Sequence, residues 1–144
     1  MVKVRTATWE EDAVICEIAR QSRFTRDFST HRFFRTNIAA SYSKGEVGVA
    51  VVRGEILGFV YVKHLVRRSE SVIHYMGVST AAQKRGIGRQ LLTWALRQSP
   101  HHYVVLSCEH VNTAGMEFYA RVGLCKLHEG VYGCERRYTR WSLS

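Results

Sequence analysis

The sequence predicts an α+β fold, with a central mixed, mostly antiparallel sheet of about seven strands flanked by about four helices. Three observations carry this reading. Short apolar runs with alternating or continuous patterning recur between polar turns, segments of helical spacing stand between them, and a glycine-containing stretch joins a strand to a helix in mid-chain. No repeats, linkers or low-complexity tracts interrupt the 144 residues, so one domain spanning 1–144 is expected.

Val2 and Val4 alternate into a first strand. Thr8 precedes Glu11 by three, a capping box that opens a helix running to about Arg20, with Val14, Ile15, Ile18 and Ala19 as its apolar face. Between Gln21 and His31 the periodicity fails, and a second short helix is expected from His31 to about Ser41, with Phe33, Phe34 and Ile38 inward. Gly48 to Arg53 is rich in valine, Arg53-Gly54-Glu55 makes a turn, and Ile56 to Val66 is apolar again, which reads as a β-hairpin. Polar residues Arg67 to Ser71 turn the chain into a third long strand, Val72 to Val78.

The following helix carries Ile87, Leu91, Leu92, Ala95 and Leu96 on one side and stops at Ser99, because Pro100 drives its neighbour out of helical geometry. Tyr103 to Leu106 is a short apolar run that reads as a buried central strand, parallel to the one before the helix. Asn112 caps a last helix bearing Met116, Tyr119 and Ala120, which Gly123 ends. Leu124 to His128 and Glu135 to Trp141 form a final strand pair joined around Gly130 and Gly133.

The hydrophobic fraction of 46% is that of a globular protein, and no stretch reaches the roughly 20 apolar residues of a membrane span. The chain starts like a strand rather than a leader, so a soluble cytoplasmic protein is expected. Cys16, Cys108, Cys125 and Cys134 show no Cys-x-x-Cys spacing, which points neither to zinc nor to a disulfide framework and leaves them as reduced thiols. The net charge of +9 includes arginine groups at Arg20, Arg23, Arg26, at Arg32, Arg35, at Arg67, Arg68 and at Arg136, Arg137, Arg140. Such a balance suits a polyanionic partner; its simpler reading is a solvated basic surface that helps attract a phosphate-bearing cofactor.

Gln83-Lys84-Arg85-Gly86-Ile87-Gly88 follows the apolar run ending at Val78 and opens a helix. A helix start presents free N–H groups and a partial positive charge, and the two glycines let a phosphate approach the backbone. The third glycine of a dinucleotide fingerprint and the Gly-Lys-Ser/Thr of a nucleotide P-loop are both missing. The order resembles the acetyl-coenzyme A loop of the GNAT superfamily of N-acetyltransferases, Gln/Arg-x-x-Gly-x-Gly/Ala, with Gln83, Gly86 and Gly88 on its fixed positions. Asn112, Gly115, Phe118, Tyr119, Gly123 and Leu124 resemble a second signature of that family, Asn-x-x-Ala-x-x-Phe-Tyr-x-x-x-Gly-Phe, with glycine for the alanine and leucine for the final aromatic. The order of elements matches the family along essentially the whole chain. One departure is Thr80, where the family often has proline two residues after the valine at position 78.

The resemblance implies acetyl-CoA as cofactor, held by Met76, Val78, Gln83, Lys84, Arg85, Gly86, Ile87, Gly88, Arg89, Asn112 and Tyr119. It implies transfer of the acetyl group to a primary amine by direct attack. An amine is protonated at neutral pH, with an unperturbed pKa near ~10, so a base or a water chain must free it. The resulting oxyanion is stabilised by a backbone N–H of the strand before the glycine loop, here at about Val78. The departing thiolate is helped by an acid, and Tyr119 occupies the family's tyrosine position; a tyrosine there also packs as core. His74 is the candidate base, on the strand face of Val72 and Met76, with ordered water as the alternative and Glu70 as a weaker candidate. His101, His102, His110 and His128 lack matching spacing and read as surface or structural.

In the family, the segment here numbered Gln21 to His31 and the last strand connection, Glu129 to Cys134, wall the acceptor site. Arg23, Arg26 and Arg136 with Phe24 and Phe28 suit an acidic or phosphorylated acceptor, or a solvated loop. The acceptors open to the sequence are a small-molecule amine, a protein amine and an aminoacyl-tRNA, the last suggested by the charge. A non-catalytic module that binds coenzyme A or nucleic acid is the reading from another class. No membrane contact is expected, and a homodimer is left open.

Overall fold

The computed structural model describes residues 1–26, 39–101, 103–109, 111–132 and 136–142, the stretch from 127 onward by its backbone. The helix expected from His31 falls largely on 27–38, outside the described residues, while 39–43 are helical. Seven strands and three described helices of nine residues or more fall into two units, Met1–Lys63 with His74–Gln98, and His64–Ile73 with Ser99–Ser144.

In the first unit β1 (Lys3–Thr6) leads through a 3-10 turn at Trp9–Glu11 into α1 (Asp12–Arg20). The Thr8 N–H donates to Glu11 Oε1 at 2.9 Å, as the capping box predicts. Ile15, Cys16, Ile18 and Ala19 form the buried stripe of α1, whereas Val14 is 44% exposed. The inward face thus starts at Asp12, whose carboxylate accepts from the Tyr42 hydroxyl at 2.8 Å, and Cys16 takes the place expected of Val14.

β2 (Val47–Val52) and β3 (Glu55–Leu65) are an antiparallel hairpin closed by Arg53 (φ 51°) and Gly54 (φ 79°), two left-handed residues as a two-residue hairpin turn requires. Val47, Val49, Phe59 and Tyr61 pack on the stripe of α1. α2 (Ile87–Gln98) buries Ile87, Leu91, Leu92, Trp94 and Ala95. Trp94 was not in the expected set; its ring lies where a Cβ at Gly48 would be, 2.6 Å away, so that glycine admits the indole.

β4 (Glu70–Val78) begins two residues before the expected Val72, because only Val66–Arg68 forms a 3-10 turn, closed by left-handed Ser69 (φ 50°). Ser71, expected in a polar connection, is fully buried, with its Oγ 2.7 Å from both His64 Nδ1 and Ser99 Oγ. In the second unit β4 runs parallel to β5 (Tyr103–Glu109) from Glu70↔Tyr103 to Ile73↔Leu106, as expected of a buried strand. β5 pairs antiparallel with β7 (Arg136–Ser142), and β7 with β6 (Cys125–Tyr132). Residues 129–132, expected in the last connection, therefore belong to β6, and the helix α3 (Thr113–Arg121) precedes it.

Candidate active site

In the first unit the Ser79 N–H donates to the Leu57 carbonyl at 2.8 Å, and a 3-10 turn, Thr80–Ala82, follows. Ala82 is buried, and Gln83 bends back so that its side-chain amide donates to the Val78 carbonyl at 3.3 Å. Lys84 (φ 64°) and Gly86 (φ 79°) are left-handed, the backbone form from which concave anion-binding runs of N–H groups are built. No atom lies within 4 Å of where a Cβ of Gly86 would stand, so glycine there serves conformation and ligand approach rather than packing.

Lys84, Arg85 and Arg89 are exposed at this helix start, whereas Ile87 is 2% exposed. Of the residues expected to hold the cofactor, Ile87 has only its backbone to offer, since its buried side chain fixes the start of α2 in the core. An open, cationic opening of a 12-residue helix fits a pyrophosphate. Met76 and Val78 are partly buried at the end of β4, and between them Gly77 leaves room for the Phe59 ring, which a Cβ would meet at 2.8 Å.

His74 lies in the same strand, with its ring 5.4 Å from that of Tyr61. Ser71 and Ile73, on the opposite face of the strand, are buried, while His74 is exposed on the face of Val72 and Met76. Crowding by protein lowers its pKa, Lys63 acts in the same direction and Glu46 opposes them, so the imidazole is neutral at pH 7. The Tyr61 hydroxyl sits 2.9 Å from Ser41 Oγ, and burial raises its pKa. Glu46, only 3% exposed, escaped the sequence reading; it stands at a turn before an apolar strand, where acids are usually solvated.

The described part of the expected acceptor wall is a run of turns. Thr25 is buried with its Oγ1 donating to the Ala19 carbonyl at 2.7 Å, and Arg23 lies 4.8 Å over the ring of Phe24. A second feature missed from sequence is Gln21, whose Oε1 accepts from both the N–H (2.8 Å) and the hydroxyl (3.2 Å) of Thr80. Phe28, His102, His110 and Cys134 are outside the described residues, as are the side chains of His128 and Arg136.

In the second unit Asn112 caps α3, its Oδ1 accepting from the Gly115 N–H at 3.0 Å. A Cβ at position 115 would stand 2.6 Å from the Asn112 side chain, so an alanine there would require that side chain to shift. Tyr119 is partly buried, edge-on to Phe118 at 5.4 Å. Burial raises its pKa, with nearby Cys108 adding to the effect, so the phenol keeps its proton throughout the physiological range. The Cys108 thiol is itself pushed up to about 11 by burial, which makes it inert. Cys16 and Cys108 are buried and Cys125 is exposed. Among the described residues no group of three or more His, Cys, Asp or Glu is placed to hold a metal, and no helix is long and apolar enough to cross a membrane.

Strand, glycine turn and phosphate-ready helix, with an Asn-capped tyrosine helix later in the chain, define an acyltransferase of the acetyl-CoA-using kind. Residues 9–124 match the Acetyltransferase (GNAT) family. The 5-NmdU N-acetyltransferase of Pseudomonas phage PaMx11 is 34% identical over 133 residues, covering 92% of this chain and 94% of that protein. A GNAT-family acetyltransferase of Bacillus cereus ATCC 10987 superposes with a TM-score of 0.81 at 17% identity, over 99% of this chain and 96% of the other. YncA of Salmonella typhimurium, solved with acetyl-CoA, gives 0.74 at 20% identity, over 99% and 93%. The chain belongs to the GNAT family of acetyltransferases. It is an N-acetyltransferase that uses acetyl-CoA as cosubstrate.

Proposed function

We propose that this enzyme acetylates a primary amine carried by a nucleotide base. The observation that carries the reading is the near full-length kinship with an enzyme named for 5-NmdU, a nucleotide base. The charge of +9 supports an acceptor embedded in nucleic acid, because phosphates reward distributed lysines and arginines. A small-molecule amine, a protein amine and aminoacyl-tRNA are the acceptors it competes with.

Acetyl-CoA supplies an activated acetyl thioester. The backbone of Lys84 to Gly88, with the Lys84, Arg85 and Arg89 cations, holds its pyrophosphate, and the end of β4 at Met76 and Val78 lines its pantetheine arm. His74, neutral at pH 7, takes the proton from the acceptor ammonium. The Val78 N–H stabilises the developing oxyanion, and Tyr119, which holds its proton, gives it to the departing thiolate.

The test supplies labelled acetyl-CoA to the protein with separate pools of base amines in DNA, amino acids with polyamines, peptides and charged tRNA, and identifies the product by mass. Label on the base amine is expected, with a log–log salt slope near ~−0.7 to −0.9 per phosphate contact if the base is presented in a strand. Label confined to amino acids, polyamines, peptides or tRNA refutes the base-amine reading.

A further inference from the structure

We infer that Gln21 is a positioning residue of the coenzyme A loop, replacing through hydrogen bonds the rigidity that proline supplies where this chain has Thr80. The inference rests on the assignment of the loop to coenzyme A. Proline at the exit of a strand fixes φ and narrows the paths open to the following turn. Thr80 removes that restraint but brings two donors, its N–H and its hydroxyl, and both reach the single acceptor Gln21 Oε1, at 2.8 and 3.2 Å.

Gln21 is itself fixed, since it ends α1 and its own N–H donates to the Ile18 carbonyl at 3.1 Å. Ser79 is held on the other side by the Leu57 carbonyl, and Ala82 closes the turn onto the Ser79 carbonyl at 2.9 Å. The segment that delivers left-handed Lys84 is thus tied to α1 at Thr80 and to β3 at Ser79. Thr80 and Gln21 are exposed, so neither bond buries a side chain, and the tie serves geometry rather than the core.

The structure also supplies the variant that separates positioning from general stability. Ser79 has φ −50° and ψ 136°, the conformation a residue before proline adopts, and Thr80 opens its 3-10 turn, a position that accepts proline. Thr80→Pro therefore suits the backbone, loses the donors, and restores the restraint in covalent form.

Coenzyme A affinity of the full chain is measured by calorimetry for the wild type, Gln21→Met, Thr80→Pro and the double variant, with the melting temperature of each. Gln21→Met is expected to weaken coenzyme A about 3–10-fold with the melting temperature nearly unchanged. Thr80→Pro is expected to bind within about twofold of wild type, and adding Gln21→Met to it to change nothing further. Binding that ignores Gln21, or an equal loss in both backgrounds, overturns this inference while leaving the loop assignment intact. A wild type that does not bind coenzyme A overturns the loop assignment and this inference with it.

Discussion

The glycine turn of the first unit and helix α3 of the second are both strand-to-helix passages, built by opposite means. The turn from Gln83 to Gly88 is shaped by backbone, with left-handed residues at 84 and 86 and the cationic side chains left in solvent. The entry to α3 is shaped by a side chain, Asn112 closing on the Gly115 N–H, and the ring that follows about two helical turns later is partly shielded. The difference matches the task each is proposed to perform. A diphosphate is bound by unpaired N–H groups that nothing may cover, whereas a proton donor is made by an environment that disfavours its anion.

The sharpest way to break the comparison is Tyr119→Phe, which keeps the ring and removes the hydroxyl. Turnover should fall ~10²–10⁴-fold with coenzyme A affinity and melting temperature nearly unchanged. An unaltered kcat makes Tyr119 a packing residue and removes the contrast.

His74 sharpens it from the first unit. Because its pKa lies below the ordinary 6.5, the neutral base accumulates as pH rises through that lower value, and kcat/KM should climb there and be flat at pH 7. His74→Ala should abolish that acidic limb; a profile that keeps it hands the proton to water or another group.

Much of this was legible in the order of residues, and what was not has a common cause. The loop could be read because Gln83, Gly86 and Gly88 act through local backbone, and the helix faces because period 3.6 is local too. Trp94 over Gly48, Ser71 among His64 and Ser99, and Gln21 on Thr80 each join residues 28 or more apart or depend on two elements at once, as at His64. Val14 was read inward and Cys16 missed because the stripe is anchored by Asp12, a polar residue that periodicity counts as outside. Glu46 was missed for the same reason.

Smaller effects test the construction of each passage. Asn112→Ala should destabilise the protein by about 1 kcal/mol through loss of the cap of α3, read from denaturant midpoints; an unchanged midpoint contradicts the cap. Glu11 is held down to about 2 chiefly by its hydrogen bond to Arg5. A depressed carboxylate stabilises the fold above its ordinary pKa of 4.5, and that contribution is lost as pH falls from there toward 2. Since Arg5 is half exposed, Glu11→Gln should cost only about 1 kcal/mol at pH 7 and less in acid, where melting curves of the two proteins should converge. Curves that stay parallel down to pH 2 would mean the loss is packing rather than charge.

Whether the backbone of the glycine turn holds the diphosphate is tested by Gly86→Asp, whose Cβ meets no protein atom within 4 Å although the left-handed φ of 79° disfavours any side chain there. Calorimetry compares coenzyme A with pantetheine, which lacks the phosphates, on the wild type and the variant. Coenzyme A should bind about tenfold or more weakly and pantetheine unchanged, because the new carboxylate opposes only the phosphates. Equal loss of both ligands, or no loss of coenzyme A by the folded variant, would contradict the diphosphate assignment.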